Sequence, residues 1–337
     1  MCYKTGQFYL LSTPVFRYNE PGWGRTLLVF SPRKTGISPA TMIPRFELRR
    51  LFGFPLLSAE EGPGAQAPLE NELLFDLTGE NPENRLFGRY GPRELRERLG
   101  ASGLLHGLSA RGYPDPVLRL SCADPADQRI CLYAGEESRD RLLLEARLQL
   151  APFHPRRPIG PFTEESSFRM LVIHWLVLSS PDGTFTVDRP RLPGQEKPGL
   201  GLLNQTIALL KAFSRELPVD GVLDVPDHFH TALFYSRAFR YLDPEAEGRF
   251  RAIARDLSGV PLALASDAIR EGCLVDRATG ALIPWPVAEQ VIALRGPLFR
   301  FLRSPSYREA RNRALADHRY VVNWDLYRKN LALRDRP

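Results

Sequence analysis

An apolar run at residues 170–178, interrupted only by His174, is rich in β-branched and aromatic side chains. This composition is typical of a buried strand. In residues 202–216 the apolar side chains recur at helical spacing, which predicts an amphipathic helix. A short apolar run at 221–225 predicts a second strand, and a further helix is expected near 231–237. Strand, loop, helix, strand and helix in this order predict a unit of the βαβ type.

The region before this unit alternates between helix and strand signals. Residues 91–99 predict a helix, because Pro92 stands in the first turn and a glycine follows the last one. Two alternating runs, at 117–122 and 129–133, flank a polar turn and predict a β-hairpin. Apolar residues alternate with polar ones through 142–150, which predicts another half-buried strand.

The two ends of the chain carry weaker patterns. Residues 1–90 predict a strand-rich region, with an exposed linker at 58–68 that contains glycine and proline. After residue 243 the pattern is largely helical, with a small hairpin expected at 275–285. Helices are predicted in four segments of this region: 244–257, 266–271, 287–293 and 308–318. The patterns together predict an α/β (α+β) protein with a mixed central sheet and flanking helices, divided into regions 1–90, 91–243 and 244–337.

A glycine-containing loop separates the strand at 170–178 from the helix at 202–216. Gly199 and Gly201 stand just before the helix, so the loop would expose backbone N–H groups at a helix N-terminus. Such a terminus attracts anions, because its first N–H groups have no partner inside the helix and the helix dipole is positive there. The loop therefore predicts an anion site.

This order of elements resembles the acyl-CoA-binding core of the GCN5-related N-acetyltransferases (GNAT), over roughly residues 117–243. In that family a strand leads into a Gln/Arg-x-x-Gly-x-Gly/Ala loop, followed by a helix, a strand that splays away from the first, and a second helix with an Ala-x-x-x-Tyr-like pattern. The second helix here offers three corresponding residues, Ala232, Tyr235 and Phe239. Two positions depart from the pattern. Three residues rather than two separate Gln195 from Gly199, and Ala238 stands where the family has a glycine.

The resemblance implies an acyl-CoA-dependent N-acyltransferase, with acetyl-CoA or another acyl-CoA as co-substrate and an unidentified amine as acceptor. It implies that the loop holds the pyrophosphate through the residues Gln195, Gly199, Leu200, Gly201 and Leu202. It also implies that Tyr235 protonates the departing thiolate as a general acid. A general base must take a proton from the amine. Glu196 is chosen for that role by its location, with Asp188, His174 and His228 as alternatives.

Two other functions stay open. The altered loop spacing and Ala238 are compatible with a non-catalytic member of the same fold, which would bind acyl-CoA as a regulatory module. His228 and His230 form a His-x-His pair that, with Asp227, also suits a metal-dependent hydrolase, because imidazoles and a carboxylate can bind zinc. The same residues are also expected in a polar turn in which Asp227 or His230 caps the following helix. On that interpretation no metal is expected.

The composition limits the class of protein and its expected location. The chain of 337 residues has 43% hydrophobic and 25% charged residues, as in an ordinary globular protein, and its net charge is +6. The sequence contains no block of like charge, so a specific nucleic-acid partner is not expected. A mildly basic surface would suit CoA, which is a polyanion. The four cysteines lack metal spacing, and neither a signal pattern nor an apolar run of membrane-spanning length is found. A cytoplasmic protein without a membrane partner is therefore expected.

Overall fold

The structure is a computed structural model that describes residues 84–334. The linker predicted at 58–68 and most of the region predicted at 1–90 lie outside the described residues. The helices are α1 (Pro92–Ala101), α2 (Leu104–Ser109), α3 (Leu203–Glu216), α4 (Phe229–Tyr235), α5 (Pro244–Asp256), α6 (Leu262–Arg270), α7 (Gly296–Arg303), α8 (Pro305–Asp317) and α9 (Trp324–Arg334). The strands are β1 (Val117–Ser121), β2 (Gln128–Tyr133), β3 (Leu142–Phe153), β4 (Phe168–Leu178), β5 (Gly221–Asp224), β6 (Arg240–Tyr241), β7 (Leu274–Asp276), β8 (Gln290–Ala293) and β9 (Tyr320–Val322).

Seven strands form one mixed sheet in the order β1-β2-β3-β4-β5-β8-β6, and β7 pairs with β9 in a small second sheet. Within the large sheet β4 and β5 run parallel, and every other pair of neighbours is antiparallel. The predicted hairpin is confirmed as β1 and β2, and the predicted strand–helix–strand–helix order is confirmed as β4, α3, β5 and α4. The protein is thus a mixed α/β fold with a mostly antiparallel sheet and flanking helices.

One C-terminal prediction is wrong. Residues 287–293 were expected to be helical, but they lead into β8, which pairs with β5 on one side and β6 on the other. A short apolar run does not by itself distinguish a helix from a strand, and here the pairing on both sides decides. Because β8 completes the large sheet, that sheet takes a strand from the region assigned to 244–337.

The parallel pair of β4 and β5 opens after three residues. Met170 lies opposite Gly221, Leu171 opposite Val222, and Val172 opposite Leu223, while β4 continues to Leu178. Over this continuation β4 is paired with β3 but not with β5. The place beyond Val172 and Leu223, where β4 continues without β5 as a partner, is called the notch below.

Both faces of the sheet are covered around the notch. Leu171 and Val222 face a core that includes Ile207 and Phe213 of α3. On the opposite face, Met170, Val172 and Leu223 pack with Leu298 of α7 and Tyr307 of α8, as strand alternation requires. The strands that border the notch are therefore anchored on both faces of the sheet.

A third core holds the C-terminal elements together, drawing on α4, α5, α6, α9 and the small sheet. Helices α5 and α8 come especially close, because a Cβ at Gly248 would lie 2.4 Å from Arg311 O. Among residues 84–334, no helix combines the length and the apolar character that crossing a bilayer requires.

Candidate functional site

The loop between β4 and α3 is tied to the end of β4. Ser180 N donates to Pro198 O at 2.8 Å, and a Cβ at Gly199 would lie 3.6 Å from Leu178 O. Leu200 and Leu202 are buried in the core beneath α3. Between them Gly201 adopts a left-handed conformation with φ +68°, which glycine reaches without strain. The loop thus delivers the N-terminus of α3 to the same edge of the sheet at which the notch opens.

The N-terminus of α3 presents unpaired donors. The first N–H group with a helical acceptor is that of Thr206, which donates to Leu202 O at 3.1 Å. Within residues 84–334, the N–H groups of Leu203, Asn204 and Gln205 meet no acceptor, and Leu202 provides no side-chain cap. These donors and the helix dipole make this end of a 14-residue helix suitable for a phosphate.

Arg111 adds a positive charge beside the loop. Its Nε donates to Leu200 O at 2.6 Å and its Nη1 to Gly107 O at 2.8 Å, so the guanidinium is fixed in place. Its Nη2 has no hydrogen-bond acceptor among residues 84–334 and lies 3.7 Å from where a Cβ on Gly201 would stand. No sequence pattern points to Arg111, because it lies far from the loop in the chain and in no motif.

Two loop residues predicted to bind or react have structural partners. Gln195 Oε1 accepts from Leu192 N at 3.2 Å, which closes a turn inside the loop. Glu196 forms an ion pair with Arg139 at 2.9 Å, and both side chains are about 60% exposed (60% and 58%). Glu196 therefore lies on the open surface of the loop, whereas Tyr235 is buried.

Tyr235 ends α4 and points into the core beneath it. It is 6% exposed and stacks on Phe239, with the ring centroids 5.1 Å apart. Burial, and then the negative charge of Asp224, raise the pKa of Tyr235 well above its usual value. The phenol therefore stays protonated near neutral pH and keeps its O–H as a hydrogen-bond donor.

Asp224, the last residue of β5, is a second residue to which no sequence pattern points. It follows Leu223, which makes the final pair with β4, so it stands where the notch begins. Burial, followed by the charge of Asp227, raises the pKa of Asp224 to about 8, while a hydrogen bond from the Val225 backbone opposes the shift. A carboxyl group that titrates near neutral pH is a common feature of acid–base sites.

The histidine pair lies at the start of α4. His228 is the N-cap residue, makes no side-chain capping bond, and stacks on His230 with the ring centroids 5.3 Å apart. The predicted capping by His230 is wrong, because the helix begins at Phe229 and not at Thr231, which places His230 inside its first turn. His230 Nδ1 instead pairs with Ser266 Oγ at 2.7 Å.

Burial also keeps the histidines neutral. It lowers the pKa of His230 to about 4, with a further contribution from His228, and it lowers the pKa of His228 against the opposing charge of Asp227. Across residues 84–334, no three or more His, Cys, Asp or Glu residues converge in a set that could hold a metal ion.

The remaining alternative bases lie apart from this group of residues. Asp188 is exposed in the loop. His174 lies in the part of β4 that borders the notch, and its Nε2 is 2.8 Å from Gln149 Oε1. The structure thus buries Tyr235 and Asp224 close enough to interact electrostatically, and it leaves Glu196 and Asp188 at the surface.

Comparison with known proteins adds no identification. No protein-family model matches the chain, and a comparison with curated proteins returns no match.

Proposed function

We propose that the protein is an acyl-CoA-dependent N-acyltransferase of the GNAT type. The observation that carries the proposal is the parallel pair β4 and β5, which separates after Val172 and Leu223 while the loop at the end of β4 starts α3. This combination supports the strand, loop, helix and splayed strand on which the sequence resemblance rests. The order of the large sheet is compatible with the same proposal.

The loop region suits the pyrophosphate of an acyl-CoA. The start of α3 offers N–H groups that have no acceptor among residues 84–334, next to the left-handed Gly201. The fixed guanidinium of Arg111 adds positive charge beside them. Gly199 and Gly201 keep side chains away from these donors. Leu200 and Leu202 anchor the loop from below, and Gln195 closes its preceding turn.

The notch suits the acyl thioester. An acyl-CoA bound there would supply the acyl group and a thiolate leaving group. The edge of β4 beyond Val172 is not paired with β5, so its main-chain N–H groups can polarise a carbonyl in the manner of an oxyanion hole. Tyr235 O–H, kept protonated by burial, would give its proton to the departing sulfur.

A non-catalytic acyl-CoA-binding or regulatory module is the second candidate. It is favoured by Tyr235 being only 6% exposed and by Glu196 being engaged with Arg139. Nothing among the described residues favours the metal-dependent hydrolase built on Asp227, His228 and His230.

Calorimetric titration with acetyl-CoA and with S-acetylpantetheine tests the proposed binding site. Acetyl-CoA should bind, and S-acetylpantetheine, which lacks the pyrophosphate, should bind much more weakly. Arg111→Ala should weaken acetyl-CoA binding by about 10–100-fold, as expected for a charge-assisted hydrogen bond, and leave S-acetylpantetheine unchanged. Arg93→Ala, which removes an exposed arginine of α1, is the matched control.

Equal binding of the two thioesters, or equal effects of the two arginine variants, would contradict the binding site. Thiol release from acetyl-CoA in the presence of primary amines separates the enzyme from the binding module. The enzyme releases thiol and forms an amide, whereas the module only binds.

A further inference from the structure

Three polar side chains form a row across the sheet beneath α4. In the strand register Asp224 of β5 lies opposite Gln290 of β8, and Gln290 lies opposite Tyr241 of β6. Direct partners on neighbouring strands point to the same face of a sheet. Gln290 Nε2 approaches Ala232 O at 3.5 Å, which places that face under α4. The three residues are called the polar row below.

Each member of the polar row is enclosed and incompletely paired. Asp224 is 8% exposed, Gln290 0% and Tyr241 1%. Asp224 Oδ2, Gln290 Oε1 and Tyr241 Oη have no hydrogen-bond partner among residues 84–334. Buried polar atoms without partners cost stability, so their presence at three adjacent positions requires a physical reason.

Asp224 connects the polar row to the notch. It is the first residue of β5 beyond the last pair with β4, and it remains paired with β8. Tyr235 comes from α4 above the same face and shares a core with Val222 and Ile292. The charge of Asp224 contributes to the raised pKa of Tyr235, after burial, so the carboxyl and the phenol lie close enough to interact electrostatically.

We infer that Asp224 is the general base of the acyl transfer, in the role that the sequence analysis gave to Glu196. The inference rests on the proposed function and deepens it. As the amine nitrogen bonds to the thioester carbon, the Asp224 carboxylate takes one N–H proton. When the C–S bond breaks, Tyr235 O–H protonates the sulfur. Proton transfer from Asp224 to the tyrosinate restores both residues, so the net products are an amide and a thiol.

Burial raises the pKa of Asp224 most, and the negative charge of Asp227 in the following loop raises it further. Gln290 lies next to Asp224 on the sheet, and Tyr241 lies beyond Gln290. The charge of Asp224 in turn acts on Tyr235 of α4. Glu247 of α5 accepts from Tyr241 N at 2.9 Å and adds further negative charge near the row. The base form of Asp224 should therefore be populated only as the pH rises toward about 8.

The test compares Asp224→Asn with Asp227→Asn in the full-length protein. Each variant removes one carboxylate without changing the side-chain size, but only Asp224 belongs to the polar row. Thiol release from acetyl-CoA is measured from pH 6 to 9 with a polyamine, a lysine-containing peptide and an aminoglycoside as amines. Acetyl-CoA binding and thermal unfolding are measured beside it.

Asp224→Asn should lower kcat by about 10²–10⁴-fold, with acetyl-CoA affinity and folding retained. Asp227→Asn should keep the rate and move the rising limb of the pH profile to lower pH, because it removes the repulsion on Asp224. If Asp224 were only a protonated structural donor, the amide of Asn would replace it and the rate would persist, which would overturn the inference. A wild-type protein that neither binds acetyl-CoA nor releases thiol would overturn the proposed function, and the inference would fall with it.

Discussion

Two buried titratable groups near α4 have different hydrogen-bonding surroundings. His230, in the first turn of α4, and Asp224, at the end of β5, are both kept from charging by burial. Burial lowers the pKa of the imidazole to about 4 and raises that of the carboxyl to about 8. His230 Nδ1 has Ser266 Oγ as a partner at 2.7 Å, whereas Asp224 Oδ2 has no partner among the described residues.

The difference separates a structural group from a candidate functional one. A neutral histidine with a hydrogen-bond partner is a satisfied core residue, and its removal should matter mainly for stability. The Asp224 carboxyl has an oxygen without a partner among the described residues, and it lies where β5 stops pairing with β4. Such a buried oxygen lowers stability and makes no compensating hydrogen bond. We therefore expect changes at Asp224 and Tyr235 to affect acyl transfer, and changes at His230 to affect mainly stability.

The largest effect is expected for Tyr235→Phe, on the Asp224 side. The change removes one hydroxyl that makes no hydrogen bond to the described residues, so the free energy of unfolding should change little. Acyl transfer should fall by about 10²–10⁴-fold while acetyl-CoA affinity holds. Tyr320→Phe, which truncates a buried tyrosine of the small sheet, serves as the control. An unchanged rate would make Tyr235 a packing residue.

A loss of acetyl-CoA affinity of about 100-fold is expected for Gly201→Glu, because a carboxylate would stand against the pyrophosphate. Any side chain at φ +68° is also strained, and Gly201→Ala measures that strain without the charge. Gly280→Glu places the same charge at a second left-handed glycine with open space around it. Calorimetry should show weak binding for Gly201→Glu alone. Similar losses in the alanine variant would mean that the loop conformation, and not its charge, governs binding.

The sequence predicted the elements around the notch better than the residues within it. The strand composition of β4 and the helical spacing of α3 are local, and local patterns were enough to find both. The loop glycines were found for the same reason. Arg111 and Asp224 could not be found in this way, because their roles come from tertiary contacts. Arg111 follows α2 and donates to Leu200 O, and Asp224 pairs with β8 on the sheet. The helix expected at 287–293 failed on the same ground, since the pairing of β8 is not local.

Asp224→Asn should stabilise the protein at alkaline pH. Since the pKa of Asp224 is about 8 in the folded protein and near 3.8 without its surroundings, the folded state holds a proton that the unfolded state releases. The stability of the wild type therefore falls as pH rises through this range. The difference between variant and wild type should be small at pH 4 and reach about 5 kcal/mol by pH 8, because each pH unit between the two pKa values contributes about 1.4 kcal/mol. Urea unfolding at both pH values measures it. A difference that does not depend on pH would show that Asp224 is an ordinary ionised carboxylate.

The smallest effect concerns the histidine side of α4. His230 has a pKa of about 4 in the folded protein against 6.5 when unperturbed, so the unfolded state binds the extra proton. Stability contributed by the neutral imidazole is present above pH 6.5 and is lost as pH falls toward 4. Between pH 7 and 5, the free energy of unfolding of His230→Gln should fall by about 1–2 kcal/mol less than that of the wild type, as measured by urea unfolding. The exposed His106→Gln serves as the control and should behave like the wild type.

At pH 8 the His230 variant should keep acetyl-CoA binding and thiol release, and added zinc should not raise the melting temperature of the wild type. Stoichiometric zinc that is lost in His230→Gln would instead make His228 and His230 a metal site. The functional group would then be the histidine pair and not Asp224.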